Sequence, residues 1–297
     1  MHEETDNRQE VTRCFFVSDL HGSAQRYQRL LRVIGLETPQ AVFLGGDLLP
    51  SGLGFRSSAG LPSGDFVEEY LVKEFLLLRQ QMKDAYPRVF VIMGNDDVRC
   101  FESSVTGAES EGVWEYLHNT KASLRSFQVY GYSYVPPTPF LLKDWERYDV
   151  SRYVDPGSIP PEEGKRSIPV GEDEQKNATI EKDLELLTGE DDLERAIFLF
   201  HAPPYDSNLD RAALDGRMID HVPLDLHVGS IAIRRFIEAR QPLVTLHGHI
   251  HESTRLTGSW RDRIGRTHAF SAAHFGPELA LVRFTLEDLD SASRELI

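Results

Sequence analysis

The chain has 297 residues, 40% of them hydrophobic and 27% charged, which fits one large or two small globular domains with a sizeable core. Its 32 Lys and Arg against 47 Asp and Glu leave a formal net charge of −15, a field that opposes nucleic-acid phosphates and disfavours a nuclease. Cys14 and Cys100 show neither metal-ligand spacing nor a disulfide framework, no apolar run reaches membrane-span length, and the acidic start is no targeting peptide, so a soluble cytoplasmic protein with reduced thiols is expected.

Residues 1–11 read as a disordered tail. Cys14-Phe15-Phe16-Val17-Ser18 reads as a buried strand ending in Asp19-Leu20-His21-Gly22. Ser23 then caps a helix with Tyr27, Leu30, Leu31 and Ile34 on one face, and Gly35 is expected to stop it. Ala41-Val42-Phe43-Leu44 leads in the same way into Gly45-Gly46-Asp47. Residues 50–64 are rich in Ser, Gly and Pro and read as a long loop, after which Asp65 opens a helix with Glu68 placed for a capping box. A third strand, Arg88 to Met93, ends in Gly94-Asn95-Asp96-Asp97.

Residues 103–126 fit neither period clearly, whereas Gln128 to Tyr134 alternates as a strand does. Pro136, Pro137 and Pro139 force an irregular course after it. Residues 155–178 are acidic and rich in Pro and Gly, the pattern of a mobile surface insertion; the irregular stretch from Pro136 to about Glu174 is expected to border the substrate mouth. A short helix over 180–187 follows, then the strand Ala196 to Phe200 ending in His201. His227-Val228-Gly229-Ser230 precedes another helix, whose start is either an ordinary cap or a place for an anion. The run Pro242 to Leu246 ends in His247-Gly248-His249-Ile250-His251, with His247 read as the last strand residue. Ala269 to Ser271 and Leu279 to Phe284 look like closing strands. Strands alternate with helices, so the sheets are parallel or mixed, and ligands are expected at the strands' carboxyl ends.

Those ends carry Asp19, His21, Asp47, Asn95, His201, His249 and His251. Hard oxygens mixed with imidazoles suit one or two divalent transition ions such as Mn, Fe or Zn. Two ions about 3.5–4 Å apart can clamp a phosphoryl group and activate a water between them.

The ordered pieces Asp19-Leu20-His21, Gly46-Asp47, Gly94-Asn95-Asp96-Asp97, His201 and Gly248-His249-Ile250-His251 resemble the calcineurin-like metallophosphoesterases. The family pattern is D-x-H, G-D, G-N-H-[D/E], a lone H, then G-H-x-H. The resemblance implies an α/β four-layer sandwich, two mixed β-sheets flanked by helices. It implies a first ion on Asp19, His21 and His251, a second on Asn95, His201 and His249, and Asp47 bridging both. A water between the ions is the implied nucleophile. The pattern departs at Asp96, where the family has a histidine read as an acid or phosphate-stabilising group; Asp97 matches the acidic position and is expected to fix local geometry.

The domain expected is a single catalytic unit over 12–286, with a C-terminal tail over 287–297. The activity expected is metal-dependent hydrolysis of a small soluble phosphoester, a phosphodiester rather than a monoester, with Asn95, Asp96 and Asp97 beside the reacting group. The alternative is a protein-interaction module that keeps the fold.

Overall fold

The computed structural model describes residues 11–51 and 65–297. The expected N-terminal tail, except Val11, and the expected loop over 50–64, except Pro50 and Ser51, lie outside the described residues.

In chain order the first half contains β1 (Arg13–Val17), α1 (Ala24–Glu37), β2 (Ala41–Gly45), a π-helical stretch (Val67–Val72) that runs into α2 (Lys73–Met82), and β3 (Arg88–Ile92). Next come α3 (Glu102–Ser110), β4 (Glu115–Tyr116), β5 (Thr120–Leu124), β6 (Phe127–Tyr132), α4 (Glu172–Asn177), α5 (Ile180–Thr188) and β7 (Ala196–Phe200). The remainder is β8 (Met218–Ile219), β9 (Val222–Pro223), α6 (Ile231–Arg240), β10 (Val244–His247), α7 (Ser253–Thr257), β11 (Arg261–Ile264), β12 (Thr267–Ser271), β13 (Ala280–Thr285) and β14 (Asp288–Leu296).

Two six-stranded mixed sheets form, one in the order β14-β13-β1-β2-β3-β4 and the other β11-β12-β10-β7-β6-β5. In the first, β1, β2, β3 and β4 run parallel. In the second, β12, β10, β7 and β6 do so. Strand alternation builds the layers. Phe16, Phe43 and Phe90 meet Val129, Ile197, Leu246 and Phe270 in the core between the sheets, with Phe43 stacked on Phe90 at 5.3 Å between ring centroids. The alternate residues Phe15, Val17, Val42 and Leu44 pack beneath α1 and α2 with Tyr27, Leu30 and Phe75. On the other side Phe198 meets Phe236 of α6 at 5.0 Å. The molecule is therefore an α/β four-layer sandwich, helices outside and sheets within. Among the described residues no helix is long and apolar enough to cross a membrane.

Register brings the strand ends level. Val17 pairs with Leu44 and Gly45 with Ile92, so the segments carrying Asp19, Asp47 and Asn95 leave the first sheet side by side. His247 pairs with Ser271, and Leu246 with Leu199, which sets His201 and His249 beside each other on the second.

Several local expectations are corrected. Residues 287–297 are not a tail: β14 pairs antiparallel with β13 along Ala280↔Leu296 to Arg283↔Ser293. Leu289 and Ala292 are buried between polar neighbours, and an edge strand with one wet face gives only this weak pattern. Gly35 does not end α1, which runs to Glu37 and closes on Thr38 in a left-handed conformation. Asp65 makes no capping box; its Oδ1 accepts from Val67 N at 2.8 Å and a π-helical stretch follows. The unassigned 103–126 segment holds α3, β4 and β5.

The 155–178 segment, expected as a mobile insertion, is bonded along its length. Ile159 N donates to Thr138 O at 2.9 Å, Ser167 N to Asp144 Oδ1 at 2.8 Å, and Arg147 pairs with Glu174 at 2.5 Å. Asp144 also accepts from Arg99 N at 2.8 Å, which joins this segment to the loop that follows β3.

Deleting residues 288–297 is expected to cost at least about 2 kcal/mol in a urea titration, the burial of one leucine alone, and to broaden or abolish the cooperative transition. A true tail would leave the midpoint unchanged.

Candidate metal centre

The loops after β1 and β2 continue the sheet's pairing beyond the strands. Asp19 N donates to Gly46 O at 3.0 Å, His21 N to Asp47 O at 2.8 Å and Gly22 N to Leu48 O at 2.9 Å. Asp19, His21, Asp47 and His249 all have positive φ, 59°, 46°, 52° and 73°. Side-chain-bearing residues rarely sit in this region, and such conformations persist only where the surroundings impose them.

The surroundings do so here. Asp97 is buried and accepts from Leu49 N at 2.7 Å and Gly94 N at 2.8 Å, tying the loop after β2 to the loop after β3. Burial, then the charge of Asp47, pushes its carboxyl up to about 7. Tyr27 of α1 donates to Leu48 O at 2.9 Å. Arg26 donates to Asp19 O at 2.5 Å and, through its other terminal nitrogen, to Gly276 O. The Gly46 site demands glycine: a Cβ there would lie 2.6 Å from His201 Nδ1.

From the second sheet, His201 reaches across the interface. Its Nδ1 donates to Gly45 O at 2.8 Å, which leaves Nε2 facing Asn95 Oδ1 at 3.1 Å and Asp47 Oδ2 at 3.3 Å. His249 N donates to Asp19 Oδ1 at 3.1 Å, and its ring lies 5.2 Å from that of His201. His251 Nε2 lies 3.2 Å from both Asp19 Oδ1 and His21 Nε2. His247 stays out of the group: it is wholly buried, its Nδ1 meets Ala202 O and its Nε2 meets Thr245 Oγ1, both at 2.8 Å. It is a strand-end core residue, with burial pushing it down to about 4.

Asp19, His21, Asp47 and His251 each offer a ligand atom, and these atoms all lie within 4.8 Å of one another. Asp47 connects this group to its neighbours, because Oδ2 faces His21 Nε2 at 3.9 Å as well as His201 Nε2. Asn95 and His249 lie beside His201, so the seven sequence-predicted metal positions lie together; Asp97, expected beside the reacting group, instead faces the backbone amides of Leu49 and Gly94. Asp96 stands at the edge, 3.3 Å from His21 Nδ1.

Charge balance explains the titration behaviour. Burial opposes the charged form of Asp19, but its bond to His251 and the charges of His251, His201 and His21 outweigh burial and hold it below the usual carboxylate range. Asp47 is lowered in the same way, burial again being outweighed, by His201 above all. Burial opposes charge on His21 and His201 too, yet Asp96, Asp47 and Asp19 around the first, and Asp47 and Asp19 around the second, raise each to about 9. His249 is pushed down to about 3 by burial and by the charge of His201. Carboxylates and imidazoles packed this closely form a donor set suited to divalent transition ions. His201 fits in particular, since its carbonyl bond fixes the Nδ1–H tautomer and leaves the Nε2 lone pair for a ligand.

Sequence reasoning missed Arg26, Tyr27 and Ser51 as supports. Arg26 and Tyr27 lie on a helix whose pattern shows only which residues are buried, and Ser51 donates to Asp96 Oδ2 at 2.5 Å from the start of a loop read as featureless. The helix start after His227 takes no outside anion, because Asp149 fills it, accepting from Ser230 Oγ at 2.5 Å and Ile231 N at 2.6 Å.

A family profile for calcineurin-like phosphoesterases matches residues 12–253. The chain belongs to the calcineurin-like phosphoesterase family. Among solved structures, one superposes with a TM-score of 0.60 at 16% identity, over 97% of this chain and 99% of its own. The Thermus thermophilus protein TT1561 gives 0.55 at 15% identity, over 97% and 99%. A dimetal phosphatase from Danio rerio gives 0.49 at 14% identity, over 92% of each chain. At these identities the first two bear on the fold alone. No curated protein matches the sequence.

The raised histidines set a pH dependence. A histidine raised to about 9 on folding stabilises the metal-free protein fully below its unfolded value, about 6.5, and loses that contribution as pH rises through 9. Asp97, raised to about 7, acts with the same sign at lower pH, its contribution present below the unfolded carboxylate value and lost as pH rises through 7. Urea midpoints of chelator-treated protein should therefore fall between pH 6.5 and 9, and the affinity for a divalent ion, which must displace the His21 proton, should rise over the same window. A flat midpoint and a pH-independent affinity would contradict these shifts.

Proposed function

We propose that the protein is a two-ion phosphoesterase acting on a small phosphodiester. The observation that carries this reading is the position of Asp47 Oδ2, which lies 3.9 Å from His21 Nε2 and 3.3 Å from His201 Nε2. A carboxylate placed so can serve two ions at once. Asp19, His21 and His251 would hold the first, and Asn95, His201 and His249 the second, with Asp47 shared. The family's dependence on two metals and the close-packed group around Asp19 support this. Manganese, iron or zinc suits such a mixture of oxygen and imidazole donors. Such a pair supplies Lewis-acid charge at the phosphoryl oxygens and activates a water for attack.

The chain's own residues prepare the place. The Gly45 carbonyl orients His201, the amide of His249 holds the Asp19 carboxylate, and the amide of Asp96 holds Asp47 Oδ1 at 2.8 Å. His201, Asp19 and Asp47 are thus preset before an ion arrives, which lowers the ordering cost of binding. A reduced, cytoplasmic setting is in keeping with the two free thiols of Cys14 and Cys100. A role as an interaction module draws no support from so complete a donor set.

The preference for diesters rests on Asp96. Its side chain is 27% exposed beside the His21 end of the site, where a carboxylate would repel an anionic substrate. A phosphomonoester is nearly a dianion at neutral pH and is repelled more than a monoanionic diester.

His201→Ala and His251→Ala should each lower turnover of a chromogenic diester by more than the about 100-fold that loss of an outer supporting group costs, with circular dichroism unchanged. Wild-type rates in either folded variant would make these histidines structural. For one diester and one monoester sharing a leaving group, Asp96→His should raise the monoester's relative kcat/KM; a wild-type preference for the monoester would contradict the diesterase assignment.

A further inference from the structure

Asp96 occupies the position where the family pattern has an imidazole, and its own contacts are with Asp47, His21 and Ser51. Its amide donates to Asp47 Oδ1 at 2.8 Å. Its side-chain Oδ2 lies 3.3 Å from His21 Nδ1 and accepts from Ser51 Oγ at 2.5 Å. One residue thus touches two members of the group that could hold a metal.

The two nitrogens of His21 have different surroundings. Nε2 faces inward, 3.2 Å from His251 Nε2 and 3.9 Å from Asp47 Oδ2. Nδ1 is buried and lacks a well-aligned hydrogen bond, so the nearby carboxylate oxygen of Asp96 is what balances it. A buried ring N–H left without an acceptor would be costly. Ser51 fixes that oxygen from the other side. His201 is held by the same logic, with Gly45 O in place of the carboxylate.

We propose that Asp96 is a positioning residue for the first ion: its carboxylate holds His21 as the Nδ1–H tautomer and turns Nε2 toward Asp19, Asp47 and His251. This rests on the two-ion reading and adds to it a role for the one position that departs from the family pattern. Carboxylates behind a ligating histidine orient the ring and raise its basicity, and their loss lowers metal affinity by about 10- to 100-fold. A carboxylate engaged with His21 and Ser51 is not a proton donor to the leaving group. The substrates favoured are therefore those whose leaving group departs as a stable anion.

The test is titration of the metal-stripped full-length chain with Mn2+, resolving two affinities by calorimetry, with thermal unfolding of each variant as the fold control. Asp96→Ala should weaken one of the two sites by about 10- to 100-fold and leave the other unchanged. Asp96→Asn should recover most of the loss, because its carbonyl oxygen would still face Nδ1 as a neutral acceptor. In a His21→Ala background, Asp96→Ala should have no further effect, since the two act as one unit. An unchanged affinity, equal weakening of both sites, additive losses in the double variant, or an Asn variant as weak as Ala would each overturn the proposal. A wild-type chain that binds no Mn2+ would overturn the two-ion reading itself, and the proposal with it.

Discussion

The site depends on how closely the two sheets approach at their carboxyl ends. His201, at the end of β7, donates from Nδ1 to the carbonyl of Gly45, the last residue of β2, at 2.8 Å. That bond ties the two sheets together at this point and leaves His201 Nε2 facing Asp47. Little can come between them: a Cβ at Gly94 would lie 2.6 Å from His201 Cε1, and one at Gly248 would lie 2.7 Å from Asp19 Oδ2. The glycines in these loops therefore permit contact between sheets more than they permit turning.

Close approach concentrates charge, and the fold answers with backbone. Asp97 accepts two amides, Asp47 takes the amide of Asp96, and Asp19 takes that of His249. Arg26 holds the loops from outside by carbonyl contacts at Asp19 and Gly276. The left-handed conformations of Asp19, His21, Asp47 and His249 are the local cost of aiming these side chains inward, offset by ties of this kind. Without ions, imidazolium on His21 and His201 balances the carboxylates, which is why both hold their protons to about 9. A divalent cation would do the same work with more charge, so metal and proton would compete for one set of atoms.

Much of this was legible in the chain. Apolar runs that end in glycine and then Asp, Asn or His mark β1, β2, β3, β7 and β10, since a buried parallel strand needs continuous hydrophobicity and its end needs room. The gathering of the strand-end residues also followed, because parallel strands bring their carboxyl ends to one edge of a sheet. What escaped was whatever lacks a repeating signal. β11 and β14 are edge strands with one wet face, so Arg261–Ile264 gave no strand signal and residues 287–297 read as a tail. The π-helical stretch at Val67–Val72 carries no distinct period, and the bond from Ser51 to Asp96 joins residues 45 positions apart in a way no local pattern encodes. The role of Asp96 could not be seen for the same reason: its sequence neighbours are Asn95 and Asp97, but its chemical partners are His21 and Ser51.

The central claim is that Asp47 is shared between two ions held by the ends of both sheets. Anomalous diffraction from crystals grown with manganese, collected on either side of the metal's absorption edge, tests it most directly. The account predicts two peaks on opposite sides of Asp47, one among Asp19, His21 and His251 and the other among Asn95, His201 and His249. A single peak, or two peaks of which only one touches Asp47, would contradict it.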